Sequence, residues 1–233
     1  MTIAAPAPVW PLPGLEPYRF AEGDLGRLLK EGILDEGCEL ADGIVVRDGE
    51  PYRFSIGQYF RMGELELVPE KLPTVVLLEG LLTLKGPKHP PHAYTVGCCS
   101  RLFCFLLPDR GWSSRCQNPI LLDGSAPQPD NSVVCGSLAT YKTRHPSAED
   151  TCLAVEVADV TLHADRVHMG RIYGSAGIPV YWIVNLVDRQ VEVMTQPTAT
   201  GYATRMDYLP GEAVPVVLDG VHVGDLLVDD LLP

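Results

Sequence analysis

Two acidic residues, Asp130 and Glu156, lie in parts of the sequence where a carboxylate is costly to place. Glu156 lies within the apolar run 152–157, which is too short for a helix and is typical of a buried strand. Asp130 follows Pro129 and comes just before a second such run, 132–134. Burying a carboxylate is unfavourable unless it meets a positive charge or a metal. Two such acids therefore predict a site for a hard cation with oxygen ligands, for which Mg²⁺ or Mn²⁺ is the natural candidate.

Each acid also has a simpler interpretation. Asp130, directly after a proline, could cap a turn or begin a strand. Glu156 could point outward from an edge strand into solvent.

Short motifs on both sides of these acids occur in a characteristic order. They are Val155–Asp159, Asp165-Arg166, Tyr173 and Ala176–Asn185, together with Arg53–Ser55, Leu78–Gly80, Pro90–His92 and Gly211–Val214. In this order and spacing the sequence resembles the Uma two family of putative restriction endonucleases, within the PD-(D/E)XK nuclease-like superfamily. The resemblance extends over residues 51–233.

The resemblance implies a fold and a chemistry. The fold would be α/β, a restriction-endonuclease-like core in which a mixed central β-sheet is flanked by helices, with extra β-hairpins. The reaction would be phosphodiester hydrolysis, with Asp130 and Glu156 sharing a Mg²⁺ or Mn²⁺ ion that polarises the phosphate and acidifies its water. Asp159 and Asp165 would support these ligands from the surrounding shell.

The resemblance also identifies a missing part. The family places a catalytic lysine on the helix after the second acid, four residues beyond the position of Asp165, where this chain has Met169. A thioether has neither a proton to give nor a charge. Arg166, three residues earlier, is the candidate replacement cation, although a guanidinium lacks the compact geometry of an ammonium group. The competing interpretation pairs Arg166 with a surface acid.

The N-terminal part contains an internal near-repeat. Residues 17–20 (Pro-Tyr-Arg-Phe) recur at 51–54, and each copy continues into a short helix and one side of a hairpin. We therefore expect a Pro/Ala-rich flexible arm at 1–16, a partial duplicate of the family's N-terminal unit at 17–50, and the nuclease-like domain at 51–233.

The duplication leaves open which copy supplies one glutamate of the family pattern. The second copy has Val76 where the family carries this acid, whereas the first copy keeps Glu39. Glu39 could be a solvated acid on a copy that docks elsewhere, or it could partly replace the second copy near the site. We favour the first interpretation, because adjacent segments usually pack beside their sequence neighbours.

The net charge of −12 bears on nucleic-acid binding. Proteins that grip DNA usually carry a basic patch, because phosphate neutralisation supplies most non-specific affinity. Here a local exception is the segment 85–92, where Lys85, Lys88 and His92 could contact phosphates. It could equally be a solvated connection leading into a helix.

The seven cysteines lack any framework spacing, which favours reduced thiols in a cytoplasmic protein. Cys98, Cys99 and Cys104 on a predicted helix are interpreted as small apolar residues rather than zinc ligands. We find no signal peptide, and the apolar runs are too short to cross a membrane.

Periodicity and turn residues predict the remaining elements. Helices are expected at 23–31, 56–64, 92–107 and 160–174, and hairpins at 181–185/190–194 and 214–218/221–223.

Three functions follow from these observations. The first is a metal-dependent DNA endonuclease that keeps activity through Arg166 or another group. The second is an impaired or inactive relative that retains the fold. The third is an interaction or nucleic-acid-binding protein in which the duplicated unit forms a homodimer or partner surface.

Overall fold

The computed structural model describes residues 9–69, 74–86, 88–107 and 111–233. The chain divides into two compact units. The first unit comprises residues 1–87 with 123–126, and the second comprises 88–122 with 127–233. Both copies of the sequence repeat thus fall in the first unit, whereas the division expected from the sequence grouped the second copy with the nuclease domain.

The first unit is built from two short helices and two small sheets. Within the described residues its sheets have the strand orders β1-β6-β5 and β2-β3-β4. The elements are β1 (Glu16–Pro17), α1 (Asp24–Lys30), β2 (Cys38–Ala41), β3 (Ile44–Arg47), β4 (Glu50–Pro51), α2 (Ile56–Glu64), β5 (Thr74–Leu78) and β6 (Leu81–Lys85).

The two copies exchange their leading strands. β1, which begins the first copy, pairs with β6 of the second copy, where Glu16 lies opposite Leu84. In the same way β4, which begins the second copy, pairs with β3 of the first, where Glu50 lies opposite Arg47. Each hairpin therefore completes its sheet with a strand from the other copy, as in a domain-swapped dimer contained in one chain.

Equivalent contacts recur throughout the two copies. The N–H of Phe20 donates to the carbonyl of Gly43, and the N–H of Phe54 donates to that of Gly80, both at 2.7 Å. The rings of Phe20 and Phe54 lie 6.2 Å apart, where the two copies meet. The sequence repeat is thus a structural repeat.

The hairpin turns explain the glycines of the repeat. Asp42 and Gly43 both have positive φ, 51° and 76°, and Glu79 and Gly80 match them at 51° and 80°. Two successive positive φ values are the requirement of a type I′ turn. A Cβ on Gly80 would also come within 2.7 Å of the Cβ of Arg53, so a side chain does not fit there.

The second unit is organised around a mixed sheet. Among the described residues the sheet has six strands in the order β12-β11-β10-β9-β8-β7. β9 and β10 run parallel, and the other neighbours run antiparallel. The elements are α3 (Pro90–Leu106), β7 (Trp112–Cys116), β8 (Asn131–Cys135), β9 (Thr151–Ala158), α4 (Leu162–Ala164), α5 (Gly170–Ser175), β10 (Val180–Asn185), β11 (Gln190–Thr198), β12 (Gly201–Tyr208), β13 (Ala213–Leu218), β14 (Val221–Leu227) and α6 (Val228–Leu231).

One face of this sheet packs on the main apolar core. Val155 of β9 and Trp182 of β10 join Phe103 of α3 and Val216 of β13 in a single buried cluster. The Phe103 and Trp182 rings lie 5.9 Å apart. Successive side chains along a strand point to opposite faces of the sheet, so Glu156, next to Val155, lies on the opposite face.

The segment between β9 and β10 differs from the regular helix expected at 160–174. Asp165–Met169 form a π-helical turn between α4 and α5. The N–H of Gly170 donates to the carbonyl of Asp165 five residues earlier. π-Helical turns are rare in proteins overall, and many of those that occur lie at functional sites.

The expected fold class is confirmed, because a mixed sheet and several helices form an α/β protein. Both predicted hairpins are present as β10-β11 and β13-β14. Within the part of the chain that the structure describes, no helix combines the length and apolar character needed to cross a bilayer.

Candidate active site

Asp130 and Glu156 are brought together by the pairing of β8 with β9. Asn131 lies opposite Val155 in this antiparallel pair, so the next step of the register sets Asp130 opposite Glu156. Both acids are buried, with exposed fractions of 1% and 4%. Opposite residues of an antiparallel pair point their side chains to the same side of the sheet. The two carboxylates are therefore neighbours in a buried position.

Asp130 is held by donors from three different segments. Its Oδ2 accepts the N–H of Val157 at 3.0 Å, and its Oδ1 accepts the side-chain amide of Gln117 at 3.2 Å. The Nε2 of His92, near the start of α3, lies 3.1 Å from Oδ2. Because these groups come from β9, the loop after β7 and α3, the carboxylate orientation is fixed.

Glu156 is held by a residue of α5. The hydroxyl of Tyr173 on α5 donates to Oε1 of Glu156 at 2.7 Å. Tyr173 is fully buried and packs against Tyr181, with ring centroids 5.1 Å apart. Burial, and after it the charge of Glu156, raises the pKa of Tyr173 well above its ordinary value, so the phenol stays protonated and donates.

Asp165 adds negative charge to this neighbourhood from the π-helical turn. Burial raises the pKa of Tyr181 well above its ordinary value, and the carboxylates of Asp165 and Glu156 raise it further. Asp165 itself is buried, and its Oδ2 accepts the hydroxyl of Thr161 at 2.6 Å. Asp159 is half-buried at the bend that follows β9.

Met169 occupies the end of the π-helical turn and is 7% exposed. A buried thioether provides no charge for the two carboxylates.

The guanidinium of Arg166 is held by Glu192 of β11. Its Nε donates to Oε2 of Glu192 at 3.0 Å, and Nη2 donates to Oε1. Nη2 also lies 3.2 Å from Asp188. Burial alone would raise the pKa of Glu192, but hydrogen bonds from Arg166 and Asn185 outweigh it and the pKa is lowered.

Glu192 lies in the same row of the sheet as Glu156. Ile183 of β10 pairs with Glu156 on one side and with Glu192 on the other. The two glutamates are thus two strand spacings apart, roughly 10 Å. Arg166 is consequently engaged by the fully buried Glu192 and also by the exposed Asp188, a surface acid of the kind considered from the sequence.

The other residues singled out from the sequence are spread over both units. In the first unit Glu39 is exposed on β2, Val76 is buried on β5 and Lys85 ends β6 half-buried. Lys88 in the second unit is half-buried just before α3. His92, expected at phosphates, contacts the Asp130 carboxylate. On α3, Cys98 and Cys99 are buried and Cys104 is exposed.

Two residues were missed from the sequence. Tyr173 was noted as a family motif, but nothing in the sequence indicated its bond to Glu156. Arg115 of β7 pairs with Ser132, which pairs with Ala154, so it lies on the same face of the sheet as Glu156. Its guanidinium lies 5.6 Å from the ring of Tyr141, and its buried Nη1 has no hydrogen-bond partner among the described residues.

The donor set fits a hard divalent cation. Two neighbouring buried carboxylates concentrate negative charge, and carboxylate oxygens are the ligands that Mg²⁺ and Mn²⁺ prefer. Among the described residues, however, no further His, Cys, Asp or Glu completes a group with both acids in which all ligand atoms lie within 4.8 Å of one another. Asp130 and Glu156 would thus hold the ion with water or substrate oxygens.

Comparison with known proteins identifies the family. The family model Uma2, described as a putative restriction endonuclease, matches residues 59–224, which is more than half of the chain. The chain belongs to the Uma2 family. The matched residues of this Uma2 protein include both buried acids and the π-helical turn, and they leave out the first copy of the repeat.

A solved structure shares the fold. It is a putative nuclease belonging to DUF820 from Anabaena variabilis, with a TM-score of 0.55 and 18% sequence identity. The alignment covers 73% of this Uma2 chain and 96% of that one. No curated protein matches the chain.

Proposed function

We propose that this protein is a metal-binding, nuclease-like member of the Uma2 family in which phosphodiester hydrolysis is impaired. The pairing of two buried carboxylates, Asp130 and Glu156, carries the proposal of a site. The impairment rests on Met169, which stands where the family resemblance places a lysine.

The two acids would hold Mg²⁺ or Mn²⁺. When bound, such a cation supplies charge for the phosphate and lowers the pKa of its water. The chain's own contribution is orientation: Tyr173 fixes Glu156, while His92, Gln117 and the backbone at Val157 fix Asp130. Partners of this kind often account for a 10- to 100-fold difference in metal affinity.

The lysine of the family would offset charge that develops in the transition state. Arg166 is the proposed replacement from the sequence, and its bidentate bond to Glu192 works against that role. Recruiting Arg166 would leave the charge of the buried Glu192 without its main partner, which is strongly unfavourable. Unless another side-chain cation stabilises the transition state, DNA cleavage should be weak or absent.

Arg115 is a second source of positive charge. It lies on the sheet face that carries Glu156, and one buried nitrogen of its guanidinium has no hydrogen-bond partner among the described residues. A guanidinium suits bidentate contact with phosphate oxygens. We propose that Arg115 contacts the DNA backbone, together with Lys88 just before α3, rather than the reacting water.

Mn²⁺ titration tests metal binding independently of cleavage. Mn²⁺ titration should give one tight site in the natural protein that is weakened at least about tenfold in Glu156→Gln and Asp130→Asn. Asp207→Asn, an exposed acid in the same row of the sheet, is the matched control and should bind normally. Equal Mn²⁺ affinity in all four proteins would refute the proposed site.

A non-catalytic role on the same fold is the alternative function. It is favoured by the net charge of −12 and by the replacement of the lysine. In that case DNA or a protein would bind without cleavage. The exchanged strands of the first unit already complete its sheets within one chain, so a homodimer would use another surface.

DNA binding has its own test. Arg115→Ala and Lys88→Ala should each weaken duplex binding and reduce the dependence of log affinity on log salt by about one. Lys30→Ala, at the end of α1, serves as the charge control. An unchanged salt dependence in Arg115→Ala would remove that residue from the proposed interface.

A further inference from the structure

Three potential metal ligands meet in the second unit, away from the residues assigned above. Cys135 ends β8, Cys152 lies on β9, and Asp219 lies in the turn between β13 and β14. Of the described His, Cys, Asp and Glu residues, these form the group whose ligand atoms all lie within 4.8 Å of one another.

Local backbone features bring the two cysteines together. Val133 pairs with Leu153, but Val134 pairs with Thr151, so Cys152 is the extra residue of a β-bulge. A bulge turns its side chain away from the regular alternation of the strand. The two sulfurs are consequently 2.9 Å apart.

Asp219 faces both thiols from the hairpin turn. Its Oδ2 lies 3.7 Å from the sulfur of Cys135 and 3.5 Å from that of Cys152. The same oxygen accepts the indole N–H of Trp112 at 2.7 Å. The turn is a tight one, because Asp219 and Gly220 both have positive φ.

These distances suit a tetrahedral zinc ion. With bonds of about 2.3 Å to sulfur and about 2.0 Å to oxygen, tetrahedral geometry separates sulfur from oxygen by about 3.5 Å and two sulfurs by about 3.8 Å. The sulfur–oxygen separations already match, and the sulfurs need to move apart by about 0.9 Å. We propose that Cys135, Cys152 and Asp219 bind a Zn²⁺ ion.

The chemistry favours a cation over a disulfide. The Asp219 carboxylate facing both sulfurs is a third ligand for a cation, and a disulfide would leave it unused. Zn²⁺ displaces both thiol protons to solvent and forms two zinc–thiolate bonds and one zinc–carboxylate bond, with no change of oxidation state.

The surroundings resemble those of a bound zinc ion. The Trp112 N–H would fix the carboxylate orientation, as outer partners of metal ligands commonly do. Asp219 is exposed and Cys135 is half-buried, so solvent reaches the cluster and water can take the fourth position. Thiolate ligands select Zn²⁺ over Mg²⁺, so this site and the carboxylate pair prefer different metals.

Cobalt substitution tests the site in the full-length reduced protein. Co²⁺ should produce sulfur-to-cobalt charge-transfer absorption with a stoichiometry of one, and one equivalent of Zn²⁺ should abolish it. Cys135→Ser and Cys152→Ser should lose this band. The exposed Cys104 and Cys116 provide matched controls, whose serine variants should retain it.

Asp219→Asn keeps the test decisive if a buried cysteine variant fails to fold. Asparagine tolerates positive φ, so the turn should persist while Zn²⁺ affinity falls by about tenfold or more. Asp130→Asn should leave the sulfur band unchanged, which separates this site from the proposed active site. Cobalt absorption without a sulfur band, or Zn²⁺ affinity unchanged in Asp219→Asn and Cys152→Ser, would overturn the proposal.

Discussion

At the scale of single residues, Tyr173 links the helical layer to the proposed site. Its hydroxyl donates to Oε1 of Glu156, and both residues are buried. Tyr173→Phe should therefore leave the fold intact and weaken Mn²⁺ binding by about 10- to 100-fold. Isothermal titration measures the change.

Tyr202→Phe is the matched control for that variant. The Tyr202 hydroxyl donates to the carbonyl of Ile178 at 2.9 Å. Its loss should leave Mn²⁺ affinity unchanged. If Tyr173→Phe also binds normally, the phenol does not orient a metal ligand.

Glu192 should make stability depend on pH. Its folded-state pKa is lowered, so its contribution is fully present above the unfolded pKa of about 4.3 and is lost as the pH falls through the folded value. Glu192→Gln should cost about 1–3 kcal/mol at pH 7, because hydrogen bonds to a charged partner are lost.

Urea denaturation at several pH values measures this effect. The difference between Glu192→Gln and the natural protein should be constant from pH 6 to 8 and shrink as the pH falls below about 4. A difference that grows in acid would contradict the assigned direction of the pKa shift.

At the scale of elements, the helical segment after β9 depends on a close backbone approach. Gly174 lies beside Gly201, whose carbonyl oxygen would be 2.2 Å from an added Cβ. Gly174 has a low helix propensity that weakens α5, but the absence of a side chain permits the packing of α5 on β12. Gly174→Ala should destabilise the protein by about 2 kcal/mol or more.

Gly97→Ala, in α3 of the same unit, should have the opposite effect on stability. Nothing lies within 4 Å of its added Cβ, so alanine should stabilise α3 by about 0.5–1 kcal/mol. Thermal unfolding should thus move in opposite directions for the two variants. Equal melting temperatures would mean that the approach of α5 to β12 relaxes at little cost.

The sequence predicted elements better than it predicted contacts. α2 begins and ends at the predicted residues, and both predicted hairpins of the second unit are present. Local patterns suffice for such features because turn geometry and helix periodicity are local. The π-helical turn was not predicted; the carbonyl of Asp165, where it begins, accepts the hydroxyl of Tyr181 on β10, a contact that no local pattern encodes.

The candidate site was predictable only in part. The two strand acids stand out because a carboxylate in an apolar run is unusual. The contacts of Asp130 with His92 and of Arg166 with Glu192 join segments 38 and 26 residues apart, respectively. No local pattern encodes such pairs, and only the fold brings them together. The cysteine cluster likewise depends on a bulge and a distant turn.

At the scale of the whole molecule, the duplicated unit predicts the oligomeric state. β1 of the first copy covers β6 of the second, so removing residues 1–49 exposes an unpaired strand edge. We expect the full chain to be monomeric. We expect the truncated chain to dimerise, with β4 of each molecule taking the place of β1 beside β6 of the other. Light scattering gives both masses.

A monomeric truncated chain would contradict the interpretation of the first unit as an internal dimer. Circular dichroism of the truncated protein provides the folding control. The result also bears on the interaction function, because a dimeric full chain would have to use a surface outside the exchanged strands.

In the proposed function the Asp130–Glu156 pair is intact, and cleavage is impaired because Met169 stands where the family has a lysine. Cleavage of supercoiled plasmid with Mn²⁺ tests this claim most directly, comparing the natural protein, Met169→Lys and Met169→Lys combined with Glu156→Gln. We predict that Met169→Lys cuts at least tenfold faster than the natural protein, about 1.4 kcal/mol of transition-state stabilisation, and that Glu156→Gln abolishes this gain. Rapid cleavage by the natural protein that Met169→Lys does not increase would contradict the account.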